Sequence, residues 1–355
     1  MPDAMKALAR LGLEQPVLRH ARPVAKLKVY SADSTCVDLS ADFACIARRT
    51  FDHILKEAAV QAGARFMAPL CLGRAVVAGD RIGGAFFTDR KTRVGVRIEA
   101  RYTLLATGAA SSPLEMFGIC ERRAPSGVAV RCYVEIPAEL SGQMDFLCIS
   151  LEERIRPGYG WVFPMPDNTV NLGIGCFYDA RRPPAKINAR HLWRAFTENF
   201  PLAGEVTARG RATCALEGAP LRTGLCGARL SRPGLLTIGE AAGMTYALTG
   251  EGIGKAMESG IMAADIVSSC LKRGREASGA VEATYERRIR DELQQRFIAY
   301  TRAQTWLANA RFCNYVAHKA RTSAFARSRL EGVLNGTTRP DEILSLAGLV
   351  RSLLA

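Results

Sequence analysis

From Gly234 to Gly260 the chain reads GLLTIGEAAGMTYALTGEGIGKAMESG. A short apolar strand ends at Gly239, a loop of small residues follows, and a long helix then begins. In open α/β sheets ligands bind beyond the carboxyl ends of strands, and Glu240 stands at such an end. Gly250 and Gly252 let a backbone approach something bound. The helix N-terminus offers N–H groups and a positive dipole end, which suits an anionic or carbonyl-rich ligand. Ile253, Met257, Ile261 and Ala264 mark the expected buried face, with Gly254 and Gly260 permitting close packing. On spacing alone, a helix packed tightly on a strand explains this stretch as well as a ligand site does.

The rest of the chain alternates strand-like and helical patterns. PDAMKALARLGL reads as an amphipathic helix with Ala4, Leu8 and Leu11 on one face. Strand-like runs follow to residue 47, then the helix TFDHILKEAAVQAG with Gly63 as its stop and Phe51, Leu55 and Ala58 in the core. Several β-rich runs lead to SSPLEMFGI, a helical turn with a serine cap and Pro113 in its first turn. From Val128 to Phe177 four runs can form one antiparallel sheet, with PDN as a hairpin turn. INARHLWRAFTENF reads as an amphipathic helix, and after Tyr285 the chain is nearly all helix.

The 355 residues are 48% hydrophobic and 23% charged, a globular composition with room for two domains, or one with an insertion. A net charge of +14 and a pI near 9.5 fit an acidic partner, either nucleic acid, an anionic membrane or a phosphorylated ligand, or simply a solvated basic surface. No RNA-binding motif accompanies the charge, which places nucleic acid last. Eleven cysteines form no CxxC pair, and the four histidines lie far apart, so neither a disulfide framework nor a metal site is expected. Reduced thiols in a cytoplasm fit best. No run reaches the ~18 apolar residues of a membrane span, and no signal peptide is read at Met1.

The wording of the Gly234–Gly260 stretch resembles the second flavin motif of FAD-dependent oxidoreductases with the para-hydroxybenzoate hydroxylase-type fold. More narrowly it is similar to the geranylgeranyl reductase family, which carries GDAAG, PLTGEGI and AMESG here. The resemblance implies that Glu240, just after Gly239, bonds the ribityl chain of FAD, and that the backbone of Gly250, Glu251, Gly252 and Ile253 faces the flavin ring. The family usually has aspartate where Glu240 stands, so the carboxylate here reaches one methylene further.

YGWVFPMPDNTVNLGIG matches the family's Y-x-W-x-F-P pattern followed by G-x-G, on Tyr159, Trp161, Phe163, Pro164, Gly173 and Gly175. Period two puts the three aromatics on one sheet face, which an ordinary aromatic hairpin also does. The resemblance implies that this hairpin lines the substrate cavity, where an aromatic wall would bury a polyprenyl chain. RRTFDHIL resembles the family's R-x-x-F-D-x-x-L and places Arg48 toward the phosphate side of the cofactor. LLATGAASS resembles an FAD motif at a strand end. Thr107 stands there where aspartate is expected, Gly108 allows close approach, and no arginine follows the serines. The C-terminal GVLNGTTRPDEILSLAGLVRSLL also looks like the family's last helices.

The family begins with a strand, G-x-G-x-x-G and a helix that cradle the FAD pyrophosphate. No such motif occurs in this sequence. The expectation is that Met1 is internal to a longer protein, that a second chain supplies the unit, or that the chain is a paralogue without flavin. The expected fold is α/β. A Rossmann-like FAD-type domain lacking its first βαβ unit spans 1–125 and 231–284. An antiparallel β substrate domain spans 126–230, and a helical region 285–355. The implied activity is FAD-dependent reduction of isoprenoid or prenyl-lipid double bonds, with NAD(P)H or another reductant as donor. The rivals are a flavin monooxygenase or halogenase-like enzyme and, from another class, a flavin-free lipid-binding protein. Arginines and aromatics between Tyr285 and Arg329 make an anionic membrane surface a further expected partner, giving a cytoplasmic protein peripheral at the inner face of the membrane.

Overall fold

The computed structural model describes residues 2–178, 187–274 and 279–343. The chain opens with α1 (Pro2–Leu11) and α2 (Glu14–Leu18), then the ribbon β1 (Arg22–Tyr30) and β2 (Cys36–Cys45), then α3 (Arg48–Gln61). A meander of β3 (Leu70–Ala78), β4 (Arg81–Asp89) and β5 (Gly95–Glu99) precedes β6 (Thr103–Leu105) and α4 (Ser111–Met116). Next come β7 (Gly127–Glu135), α5 (Ala138–Gly142), β8 (Leu147–Ser150), β9 (Gly158–Pro164) and β10 (Thr169–Phe177). Then follow α6 (Ala189–Asn199), α7 (Pro201–Arg209), β11 (Arg211–Ala212) and β12 (Glu217–Leu221). The chain returns through β13 (Ser231–Arg232) and β14 (Leu235–Thr237) to the long α8 (Ile253–Lys272). It continues in α9 (Ala280–Ile289), α10 (Gln295–Gln304), α11 (Ala310–Thr322), α12 (Ala324–Leu334) and α13 (Pro340–Ile343).

The architecture is α/β, with a small mixed sheet in a Rossmann-like core, a β-rich insertion and a helical C-terminal region. In the small sheet β14 runs parallel to β6 and antiparallel to β13. α8, α9 and α10 pack around β14, with Leu236, Met262, Tyr285 and Phe297 in the shared core. The large sheet runs β11-β7-β10-β9-β8-β1-β2, with β12 also on β7. Sequence order groups the first 125 residues together, yet β1 and β2 lie in this large sheet, because β1 pairs parallel with β8. Its buried Val24 and Leu27 join Leu147 of β8 in one core cluster, so β1 extends the sheet that residues 126–230 begin.

The period-two rule separates the two faces of the large sheet. Val130, Cys132 and Val134 of β7, with Val170, Leu172 and Ile174 of β10, pack on Phe196, Phe200 and Val206 of α6 and α7. Gly160 is required on that face: a Cβ there would lie 2.3 Å from the Phe196 ring. The opposite face carries Tyr159, Trp161 and Phe163 and meets α11 and α12 through Ala317, Ala320 and Leu330. The β9–β10 hairpin turns on Asp167 and Asn168, both with positive φ, as a tight hairpin needs.

Three local readings are corrected. Leu11 is exposed, so α1 buries Ala7 and Leu8 instead. α4 is capped by Ala110, whose side chain makes no cap bond, with Ser111 already helical. The buried face of α8 is Gly254, Lys255, Ser259, Met262 and Ala263. Ile253 is exposed and lines a cavity with Met257, and Ala264 is exposed. The helix turns small and polar groups to the protein because partners satisfy them: Ser259 Oγ accepts the Gly239 N–H (3.0 Å) and donates to the Lys255 carbonyl (2.8 Å).

Candidate functional site

A cavity of about 950 Å³ lies between the large sheet, the C-terminal helices and the carboxyl end of β14. That is the upper end of the range for small-molecule sites. Its sheet wall is apolar and aromatic: Leu27, Val29, Leu147, Ile149, Trp161 and Phe163 all line it. Phe312, Cys313, Val316 and Ala317 of α11 face them. The third side is the loop from Gly239 to Ile253.

At this loop β14 ends in Gly239 (φ 60°), a conformation that favours glycine, and a Cβ there would meet Ala256 at 3.0 Å. α8 therefore approaches the strand end closely. Glu240 follows, half-buried, with its Oε1 accepting the Arg222 N–H at 3.2 Å. Burial pushes the Glu240 carboxyl above its ordinary range, against the pull of that hydrogen bond and of the Arg48 and Arg222 charges. Glu251 Oε1 accepts the Gly254 N–H (2.8 Å) in the first turn of α8. Burial raises its carboxyl too. The aromatic wall clasps the loop from the other side. The Tyr159 hydroxyl donates to the Thr249 carbonyl (2.6 Å), and a Cβ on Gly250 (φ 66°) would lie 2.7 Å from that hydroxyl oxygen.

Trp161 explains one of the two glycines of β10. In register, Gly173 lies between Arg131 of β7 and Trp161 of β9. The indole crosses it, so that a Cβ on Gly173 would come within 2.1 Å of the ring. Its Nε1 donates to Asn171 Oδ1 (3.1 Å), and the ring stacks on Phe163 with centroids 6.3 Å apart. A side chain on Gly173 would block the only pose that lays the indole along the wall.

The structure brings most of the sequence-derived site residues together. Arg48, Gly108, Gly239, Glu240, Gly250, Glu251, Gly252 and Ile253 line the cavity, as do Tyr159, Trp161, Phe163 and Gly175. Thr107 is exposed and outside the lining; Pro164 and Gly173 support it from beneath. Arg48 is the first residue of α3 and pairs with Asp52 at 3.0 Å. Among the described residues, no group of histidine, cysteine and carboxylate side chains could hold a metal ion.

Two features escape sequence reasoning. Arg222 is fully buried, and its guanidinium donates to the carbonyls of Ala109 (2.9 Å), Arg122 (2.9 Å) and Arg123 (3.0 Å). It ties the end of β12 to the loop after β6. Lys255 is 1% exposed and bridges Asp3 (2.9 Å) and Glu258 (2.6 Å), locking α1 onto α8. Isolated charges in a strand end and in an apolar helix carry no pattern that marks them.

An FAD fits this site in part. The apolar cavity, the glycine loop at the start of a 20-residue helix and the half-buried Glu240 at a strand end suit the ring and the ribityl chain. No G-x-G-x-x-G loop is available for the pyrophosphate.

No family model matches the chain. It is 29% identical over 290 residues to a menaquinone reductase of Mycolicibacterium smegmatis, covering 76% of this chain and 66% of that protein. It is 28% identical over 274 residues to a digeranylgeranylglycerophospholipid reductase of Methanosphaerula palustris, covering 75% and 65%. The chain thus spans about two thirds of the length of these curated relatives. Among solved structures, a geranylgeranyl bacteriochlorophyll reductase-like protein from Thermoplasma acidophilum superposes with TM-score 0.74 at 17% identity, over 98% of this chain and 83% of that one. A flavin-dependent brominase superposes with TM-score 0.70 at 16% identity, over 100% and 87%.

Proposed function

We propose that this chain, which belongs to the superfamily of FAD-dependent geranylgeranyl and menaquinone reductases, forms the substrate-side part of an enzyme that saturates prenyl-lipid double bonds. The observation that carries this reading is the junction of two unlike surfaces. A glycine loop and a half-buried carboxylate open onto a cavity that is otherwise a long apolar, aromatic trough. A polar metabolite would leave that trough unsatisfied, whereas a prenyl chain gains about 25 cal/mol for each Å² it removes from water. Reduced FAD, when bound, supplies the hydride; a proton completes the second carbon, and NAD(P)H or another two-electron donor restores the flavin.

The residues here bind, orient and exclude water. Glu240 would accept ribityl hydroxyls, and the backbone from Gly250 to Ile253 would face the ring edge. Arg48 sets a positive charge beside Glu240. Tyr159 fixes the loop through Thr249, so the cofactor edge and the aromatic wall keep one spacing. Pyrophosphate contacts come from a strand–loop–helix unit, carried by a longer form of this protein or by a second chain. The open edge of β6 supports this: among the described residues it pairs only with β14, and Leu104 is 40% exposed. The test is FAD retention by the 355-residue chain with and without such a unit. Tight, stoichiometric FAD on the chain alone refutes the division of labour.

An anionic membrane is the second proposed partner, on a smaller surface than the sequence implies. Tyr285, Phe297, Tyr300 and Leu307 are core residues. Tyr315 and Phe325 are exposed, on α11 and α12, beside exposed Arg311 and Arg321. No helix among the described residues is long and apolar enough to cross a membrane. Delivery of a prenyl lipid at a cytoplasmic membrane face would give these helices, which also wall the cavity, a purpose.

A further inference from the structure

The cavity face of the large sheet carries a single charged residue among the described ones that line it, Arg131. Its neighbours toward β10 and β9 are apolar, aromatic, glycine or the amide Asn171, while on the other side it stands opposite Glu217 of β12. An arginine in such a row costs free energy unless its donors are used. Part of the guanidinium is used. Nη2 pairs with Glu217 at 2.9 Å, on the neighbouring strand β12, and the plane lies over the Tyr133 ring at 4.6 Å. Nη1 is sealed from solvent and has no partner. The Glu217 side chain is more than half exposed and holds the outer edge of the group. The unused donor is enclosed by protein atoms, on a residue that walls the trough. Across Gly173 the facing side chain is Trp161, so the gap over that glycine is bounded by the guanidinium stem and the indole.

We propose that Arg131 anchors the polar head of the bound lipid by donating to an acceptor oxygen at this end of the cavity. The inference rests on the prenyl-lipid reading and adds to it a fixed orientation of the chain. A small rotation of the guanidinium over the Tyr133 ring presents Nη1 to the trough while Nη2 keeps Glu217. The acceptor is an oxygen of a phosphate or of a quinone-type carbonyl; both offer lone pairs to a planar fork. A ligand without such an oxygen leaves the donor unpaired in a dry site, the situation in which binding sites discriminate most strongly. Arg131 is thus a specificity residue on the sheet wall, on a different element from the glycine loop.

The test compares three probes on the folded chain by quenching of tryptophan fluorescence, since Trp161 and Trp306 both line the cavity. The probes are geranylgeranyl diphosphate, a menaquinone with a prenyl tail, and squalene, which has no oxygen. The wild type is expected to favour at least one oxygen-bearing probe over squalene by roughly tenfold or more. Arg131→Met should erase that preference and leave squalene affinity within about twofold. The probe that loses affinity identifies phosphate or carbonyl as the acceptor. Arg131→Lys keeps a cation for Glu217 without the fork, and should lose the same preference by a smaller factor; it serves if Arg131→Met does not fold. Equal loss for all three probes, or no loss for any, overturns the anchor while leaving a prenyl-binding cavity. Failure of the wild type to bind any of the three removes the prenyl-lipid reading, and the anchor with it.

Discussion

Gly173→Ala should destabilise the protein through one identifiable contact. The new methyl carbon would lie 2.1 Å from Cζ2, 2.5 Å from Cε2 and 2.8 Å from Cη2 of Trp161. Normal carbon contacts are about 3.5–4.0 Å, so the indole must move by more than an ångström. It cannot do so freely, because Nε1 is held by Asn171 and the ring is stacked on Phe163. Overpacking of this kind costs about 1–3 kcal/mol, and a broken hydrogen bond about 1 kcal/mol more. Gly175→Ala is the internal control: its methyl would meet Phe177 no closer than 3.4 Å, an ordinary contact, and should cost under about 1 kcal/mol. In a Trp161→Leu background the clash has no partner, so Gly173→Ala should become nearly neutral. The double-mutant cycle should then give a coupling of about 1–3 kcal/mol. Urea unfolding with unchanged m-values measures all four proteins. Equal costs for the two glycine substitutions, or a Gly173→Ala cost that Trp161→Leu does not relieve, would refute the account of the glycine pair.

Three other outcomes follow from the same structure. Lys255→Met leaves Asp3 facing Glu258 without the cation between them; it should cost about 3 kcal/mol and raise amide exchange in α1, read by hydrogen-exchange mass spectrometry. Glu240→Gln concerns pH. The folded carboxyl is raised above 4.5, so its contribution favours folding at acid pH and is lost as pH rises through the raised value. The stability of the glutamine variant relative to wild type should therefore improve from about pH 4.5 upward, and a difference flat with pH would show that the carboxyl titrates normally. For the membrane surface, sedimentation with anionic vesicles should fall with rising salt and with Tyr315→Ala/Phe325→Ala, while neutral vesicles bind little. Indifference to lipid charge at low salt would leave the basic helices as a solvated surface.

Strong local patterns made much of this legible. The β9–β10 hairpin was readable because its period-two aromatics and the Asp167–Asn168 turn agree with each other. The strand–loop–helix from Leu235 to Lys272 was readable from its glycines. What sequence hid depends on tertiary partners. The face of α8 was misplaced because its inward residues include Lys255 and Ser259, polar groups that are buried only because Asp3, Glu258 and Gly239 complete them. β1 and β2 were grouped with their sequence neighbours, since nothing local reveals a parallel pairing with β8 more than a hundred residues away. The C-terminal aromatics divide between core and surface by helix packing, which composition does not resolve. Arg222 follows a short strand with no periodicity to mark it, yet it is the buried link between the large sheet and the loop after β6.

The most direct measurement is the mass of the lipid after reaction. The chain, together with the strand–loop–helix unit that holds the FAD pyrophosphate, is incubated anaerobically with FAD, dithionite and either geranylgeranyl diphosphate or a menaquinone, and the extracted lipid is analysed by mass spectrometry. The account predicts a product heavier by one dihydrogen for each bond reduced, and loss of that product when Gly252→Asp puts a carboxylate at the ring edge, against Thr245, where the new Cβ would lie 2.6 Å from the hydroxyl oxygen. Bound FAD with an unchanged lipid, or a product that has gained oxygen or halogen when air or halide is admitted, would contradict it.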